Sequence, residues 1–341
     1  MAITVRYPGR LCLLGEHCDW AGGASLVLPM PLGIRATCEE GDTQLEIEAA
    51  LEDEWLRARF PATGEVNPDG GPLRFVAAAM ACLASHGMAP PSARLHLDSD
   101  LPAGRGFSSS AAVVLASLDA LARLAGHALQ PEALARLAYE TERTLLGVPC
   151  GLLDPMACAF AQPLYLRWHR QRHGAPEPGL RPIQAGSALH LVAACFPKPR
   201  DTRAILTCLR DAVDGDLRDA MAAERARAAH TAIAHFADAA TAGARCLIAG
   251  DVRGLGALLD GCQAVYDEEL ADAFPALAAP GLRAVCGELR RHGSLGAKFS
   301  GAGGDGSVIA LMDGPDTAKA AVDLLVGRGL RAWYCPTSAS A

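Results

Sequence analysis

What this 341-residue chain lacks narrows what it can be. It has no surplus of positive charge: 31 Lys and Arg against 38 Asp and Glu leave a net charge of -7. That argues against a nucleic-acid partner, which needs a basic face. The densest basic group, LRWHRQRH at 166–173, is too short and local to reverse this. No apolar run approaches the roughly 20 residues that span a membrane, and the opening MAITVRYPGR reads as neither a signal nor a transit peptide. A cytoplasmic location with no membrane partner is the expectation. No C-x-x-C pair occurs, although there are 12 cysteines. Most of them sit in apolar segments such as AAMACLAS and LVAACF, so buried reduced thiols are expected rather than a disulfide framework or a zinc site. Cys18 and Cys150 fall inside polar motifs, where oxidation sensitivity is conceivable.

What is present is an ordinary soluble composition, half hydrophobic and a fifth charged, in a chain long for one core; two domains follow. The first hundred residues alternate strand-like pieces (ITVRY, SLVLP, GIRATCEE, QLEIEAA) with turns, and PATGEVNPDGG at 61–71 reads as a loop. LRFVAAAMACLASHG reads as a helix ending at Gly87, ARLHLDSD as a strand, and PEALARLAYETERTLLG as a helix that Pro131 starts. PLYLRWH and ALHLVAACF read as strands. From about 200 to 292 the pattern is long and Ala-rich helical, followed by strand GAKFS, a glycine loop, strand SVIALMD, helix DTAKAAVDLLVGRG and strand RAWYC. This mixture is α+β, divided into residues 1–195 and 196–341.

Three stretches concentrate chemistry. In LPAGRGFSSSAAVV, 101–114, glycines and three serines precede an alanine-rich helix. Glycines admit a ligand close to the backbone, and the unpaired N–H groups of a first helical turn favour an anion such as phosphate. A serine that merely caps a core helix explains the same residues as well. GAKFSGAGGDGSVIAL, 296–311, is a second glycine-rich loop between strands, flanked by Lys298 and Ser300. In PGRLCLLGEHCDWAGG, 8–23, Arg10, Glu16, His17 and Asp19 are embedded among apolar residues, a pattern that suits a polar pocket because buried charges need partners.

In this order and spacing the three stretches resemble the motifs of the GHMP small-molecule kinases. GEHCDWAGG is similar to the galactokinase branch, as are GVPCGLLDP at 147–155 and the short LRFV. The resemblance covers most of 5–160 and then 296–312. It implies a two-domain fold with the active site in the cleft between domains, and ATP-dependent phosphorylation of a sugar, with the anomeric hydroxyl as acceptor. Gly104, Arg105, Gly106, Ser108, Ser109, Ser110, Gly301 and Gly303 would then bind ATP, and Ser110 and Glu142 would hold Mg²⁺. Asp154 would be the catalytic aspartate with Arg10 beside it, and Glu16, His17, Asp19 and Gly151 would hold the sugar. A monomer or homodimer is expected. A kinase for another small alcohol, mevalonate-like, and a catalytically silent sensor are the alternatives. The chain departs from the galactokinase pattern at Pro155 (usually Gln), Trp20 (usually Tyr) and Asp305 (a glycine position); it also lacks the Y-N-x-R segment and is shorter. These departures bear on which sugar fits rather than on the chemistry.

Overall fold

The computed structural model describes residues 2–338 apart from 52–53, 61–70, 170–176, 199 and 216–218. The loop read at 61–71 lies outside the described residues except for Gly71, and so does the end of the basic group at 166–173. In chain order the first half runs β1 (Ile3–Leu14), α1 (Cys18–Ala21), β2 (Gly23–Glu39), β3 (Leu45–Leu51), β4 (Glu54–Phe60), α2 (Arg74–Ser85), β5 (Ala93–Ser99), α3 (Ser109–Leu124), α4 (Pro131–Glu140) and α5 (Leu153–Phe160). A π-helical turn, Thr141–Leu145, follows α4. The second half runs β6 (Leu164–Trp168), β7 (Pro178–Pro182), β8 (Leu189–Cys195), α6 (Thr202–Asp214), α7 (Ala220–Ala249), α8 (Val252–Val265), α9 (Ala271–Ala273), α10 (Pro280–Arg291), β9 (Ser294–Phe299), β10 (Ser307–Met312), α11 (Pro315–Gly327) and β11 (Arg331–Thr337).

Two compact units emerge, one made of Met1–Arg10 and Pro29–Ala161, the other of Leu11–Leu28 and Gln162–Ala341. This division differs from a single cut at 196, because β1 and β2 each supply residues to both units. The two pieces read as SLVLP and GIRATCEE are one strand, β2, which changes partner midway: Gly23–Val27 pair with β6 and Ile34–Glu39 pair with β5. Pro29 and Pro31 lie between the stretches that pair with β6 and with β5, and β1 pairs with β2 as well.

In the first unit β5 also pairs in parallel with β3, and β3 antiparallel with β4. Alternation along β5 buries Leu95 and Leu97 while Arg94 and Asp98 stay exposed, and the apolar faces of α2 (Val76, Met80, Leu83) and α3 (Leu115, Leu118) complete this core. In the second unit β6 pairs with β7, and a four-stranded antiparallel sheet runs β11-β8-β10-β9. Every residue of β10 is buried, which is why its sequence is a continuous apolar run rather than an alternating one. Helix α8 lies directly on β9: a Cβ on Gly296 would come within 2.0 Å of the Gly256 carbonyl oxygen, so only glycine permits this approach. All 12 cysteines are free and most are buried, as their apolar settings suggested.

Candidate active site

The first unit holds the serine-rich loop and the carboxylates. Gly104 and Gly106 adopt left-handed φ values of 65° and 86°, and Ser108, the N-cap of α3, does so at 62°. That conformation costs a non-glycine residue about 1–2 kcal/mol and is characteristic of functional loops. Ser108 makes no capping bond through its side chain, and its Oγ is buried without a protein partner; the simple N-cap explanation therefore does not hold for it. Ser109 instead accepts a hydrogen bond at Oγ from Gly104 N (3.2 Å), closing the loop on itself. Arg105 is half-buried on the same loop.

Arg10 ties this loop to the candidate catalytic acid. Its Nε and Nη2 lie 2.8 and 2.7 Å from Asp154 Oδ1, and its Nη1 donates to the Gly106 carbonyl at 2.6 Å. The guanidinium is 5% exposed and the Asp154 side chain 35%, so the arginine is fixed while the carboxylate can be reached. Asp154 sits in the first turn of α5, after the half-buried Gly151. The segment LLDPMACAFA, read only as apolar, is this helix.

Glu142 lies on the π-helical turn, a geometry common at functional sites. Burial pushes its carboxyl up to about 7, the Asp154 charge adds to this, and hydrogen bonds from Ser110 and Cys150 oppose it. Its Oε1 is buried with no protein partner. A buried carboxylate oxygen without a donor, beside a serine hydroxyl, is a hard oxygen pair that suits Mg²⁺. The pairing of Ser110 with Glu142 thus fits the expected metal.

The second unit holds the polar residues of the first motif. Gly15 makes the turn out of β1 with φ of 87°, where a Cβ would lie 2.1 Å from the Ala24 carbonyl oxygen. Ser25 Oγ donates to Gly15 O at 2.7 Å and accepts from Trp168 Nε1 at 3.0 Å. This frame directs Glu16 inward, where its Oε1 accepts a hydrogen bond from Lys298 Nζ and its Oε2 is buried with no protein partner. Lys298 also donates to Phe299 O (2.6 Å) and lies 4.2 Å from the Phe299 ring centroid. His17 is the left-handed N-cap of α1, and its imidazole is hydrogen-bonded to the Ala302 backbone. Burial, reinforced by the Arg200 charge, lowers it to about 3, so the ring is neutral near pH 7, with Nε2 unpartnered. Asp19 is buried. Cys18 is buried too, its thiol pushed up by burial and directed at Ile233 O (3.9 Å); it is a packing group.

The third motif is held tightly. Gly301, Gly303 and Gly304 have φ values of 79°, 94° and 69°. A Cβ on Gly303 would lie 2.8 Å from the Tyr266 ring. Tyr266 Oη accepts from Gly304 N (2.7 Å) and donates to Leu277 O (2.7 Å), and Arg200 Nη1 donates to Gly303 O. The two polar residues that flank the glycines are engaged within the second unit: Lys298 pairs with Glu16, and Ser300 Oγ donates to Cys12 O at 3.4 Å. Asp305 turns away from the loop and accepts from Gly281 N (3.3 Å) and Leu282 N (2.7 Å) at the start of α10.

The structure therefore brings together Arg10, Gly106 and Asp154, and separately Ser110 with Glu142. Glu16 and His17 meet the third motif through Lys298 and Ala302. Sequence reasoning missed Lys298 as the partner of Glu16 and missed Arg200 and Tyr266. One signal was available: Lys298 is one of three lysines in the chain and lies among apolar strand residues. Polar atoms buried without a protein partner recur in these motifs (Glu16, His17, Trp20, Ser108 and Glu142), as expected where a ligand supplies the missing bonds.

Residues 74–162 match the GHMP kinase N-terminal domain and residues 244–325 the GHMP kinase C-terminal domain. The chain is 26% identical over 362 residues to a galactokinase of Mycobacterium bovis, covering 98% of this chain and 95% of that one. The structure of Lactococcus lactis galactokinase complexed with galactose aligns with a TM-score of 0.77 at 18% identity, over 99% of this chain and 94% of that one. That of Methanococcus jannaschii mevalonate kinase aligns at 0.74 and 17%, over 100% and 99%. At such identities the two structures speak for the fold alone. No helix among the described residues is long and apolar enough to cross a membrane. With both family domains matched in order and the galactokinase match running nearly end to end, the chain belongs to the GHMP kinases, in their galactokinase-like branch.

Proposed function

We propose that this ATP-dependent kinase phosphorylates a monosaccharide or sugar derivative at the anomeric hydroxyl, giving a sugar 1-phosphate. One observation carries the reading. Arg10 holds Asp154 Oδ1 through Nε and Nη2, while Nη1 of the same guanidinium holds the Gly106 carbonyl. The part-exposed carboxylate would accept the proton of an attacking hydroxyl, registered to the loop that would cradle phosphate. The hydroxyl oxygen forms its bond to the γ-phosphorus, the bond to the β–γ bridging oxygen breaks, and ADP departs. Phosphoryl transfer depends mainly on such positioning and on charge. Glu16 Oε2, His17 Nε2 and Asp19 supply hydrogen-bonding atoms that suit a polyol.

Ser110 and Glu142 would hold Mg²⁺, which when bound neutralises charge on the phosphate oxygens. Gly104, Gly106, Ser108 and Ser110 on one loop and Gly301 and Gly303 on the other would bind ATP. Arg200 and Arg210 contribute positive charge at His17, so acidic sugars belong beside neutral ones among the candidate substrates.

The test is a screen of neutral monosaccharides, uronic acids and mevalonate for ADP release, with NMR of the product. A phosphorus nucleus coupled to the anomeric proton is expected. Phosphate on a ring or primary hydroxyl, or turnover of mevalonate alone, refutes the reading; absence of any ATP turnover would favour a sensor. Asp154→Asn is expected to lose about 10²- to 10⁴-fold in turnover while retaining nucleotide binding. Near-normal turnover by that variant removes Asp154 from the mechanism.

A further inference from the structure

Away from these motifs, three side chains with metal-ligating atoms meet where the last turn of α2 approaches the end of α4. Cys82 and His86 are four residues apart, which places them on one face of that turn, and Glu140 is the last residue of α4. The Cys82 sulfur, a His86 ring nitrogen and a Glu140 carboxylate oxygen all lie within 4.8 Å of one another. His86 Nε2 is 3.2 and 3.1 Å from the two Glu140 oxygens. An exposed His–Glu pair alone is an ordinary surface contact. Here a buried thiol lies beside it, with a long bond to Leu137 O at 3.7 Å and a side-chain hydrogen bond from Thr141.

The backbone fixes the group from both sides. Helix α2 ends in a left-handed Gly87 (φ 69°), with Met88 N donating to Leu83 O at 2.8 Å and Gly87 N to Ala84 O at 3.1 Å. Across from it, Thr141 Oγ1 donates to the same Leu137 carbonyl at 2.8 Å. The His86 and Glu140 side chains are 42% and 38% exposed, so two of the three ligating groups face solvent while Cys82 lies buried behind them.

We propose that Cys82, His86 and Glu140 form a binding site for a borderline-soft divalent transition metal, Zn²⁺, with a water molecule as the fourth ligand. Sulfur with imidazole selects such an ion over Mg²⁺, which takes oxygen ligands. On binding, the Cys82 S–H proton is released to solvent as the sulfur–metal bond forms, and the His86–Glu140 hydrogen bond is exchanged for two bonds to the metal. Glu140 leads directly into the turn that carries Glu142, so the ion would tether that turn to the end of α2. This site is separate from the oxygen pair of Ser110 and Glu142.

The test titrates chelator-treated full-length protein with Zn²⁺ by calorimetry and with Co²⁺ by absorption, in excess Mg²⁺. We expect one Zn²⁺ per chain, a rise in melting temperature, and a thiolate-to-cobalt charge-transfer band with the strong visible bands of a four-coordinate ion. Cys82→Ser should lose the band. His86→Ala and Glu140→Gln, both exposed and foldable, should each weaken Zn²⁺ binding by at least about the 10- to 100-fold that even an outer-shell change costs. A wild-type cobalt complex without the thiolate band overturns the proposal, and so does Zn²⁺ binding that survives both His86→Ala and Glu140→Gln unchanged.

Discussion

Replacing Lys298 by methionine should cost the second unit more than almost any other single change. Lys298 and Glu16 are 0% and 1% exposed, so neither charge has water to fall back on. Glu16 Oε2 already lacks a protein partner; without Lys298, Oε1 loses its donor as well. Breaking a buried pair by removing one member costs about 3–5 kcal/mol, because the remaining charge is stranded. At about 2–4 °C per kcal/mol for a unit of this size, the melting temperature should fall by roughly 6–20 °C. Removing both charges together is far milder, since apolar replacements of buried pairs are often neutral. The variant Lys298→Met/Glu16→Gln should therefore regain about 2 kcal/mol or more relative to Lys298→Met. Urea unfolding of wild type, both single variants and the double gives the coupling energy directly. If Lys298→Met lies within about 1 kcal/mol of wild type, or the double variant is no better than it, the pair does not anchor the first motif.

Arg10→Lys keeps the charge but cannot reproduce a fork that reaches both Asp154 and Gly106; turnover should fall about 10²-fold or more, measured by steady-state kinetics, and near wild-type kcat would refute the bridging role. Asp305→Ala removes the acceptor for Gly281 N and Leu282 N, so stability should drop by about 1 kcal/mol with the Michaelis constant for ATP unchanged; a large change in that constant would return Asp305 to the phosphate site. His17 is held at about 3 against an ordinary 6.5, so between those values the unfolded chain takes up a proton that the native one refuses. Stability should fall as pH drops through that window, at up to roughly 1.4 kcal/mol per pH unit, and His17→Asn should flatten the fall; an unchanged slope would mean the imidazole is not buried neutral.

How much of this was legible in the sequence depended on the range of the interaction. The glycine and serine chemistry of 101–114 is local, and the loop and helix α3 stand where that pattern placed them. The Ser110–Glu142 and Arg10–Asp154 contacts came only through the family resemblance, since residues 32 and 144 positions apart carry no mutual signal. Lys298 and Glu16 are 282 apart, and the sequence marks Lys298 only as a polar residue flanking the glycines. Strand β4 (Glu54–Phe60) and strand β7 (Pro178–Pro182) were not read at all. The first alternates charged and apolar residues in a charge-rich stretch, and the second carries two prolines, which demote a strand signal and are tolerated on an edge. Helix α5 is only eight residues long and starts with a proline in its first turn, so its periodicity was too short to separate from a strand.

The same geometry accounts for the chain's departures from the galactokinase pattern, each by a local compensation. Asp305 adds no charge to the glycine loop, because its carboxylate is committed to the first N–H groups of α10, where a negative group is favourable. Pro155 falls in the first turn of α5, where an N–H has no intrahelical partner to lose, so the helix that presents Asp154 is undisturbed. Trp20 is different. It meets the His17 ring edge-on at 5.8 Å and lies 4.9 Å beneath the Arg210 guanidinium, and its Nε1 is buried without a protein partner. A large ring with an unused donor, sandwiched between a polar motif residue and an arginine, sets the shape and polarity next to His17. The departures thus sort into two that are compensated locally and one, Trp20 under Arg210, that reshapes the surroundings of His17.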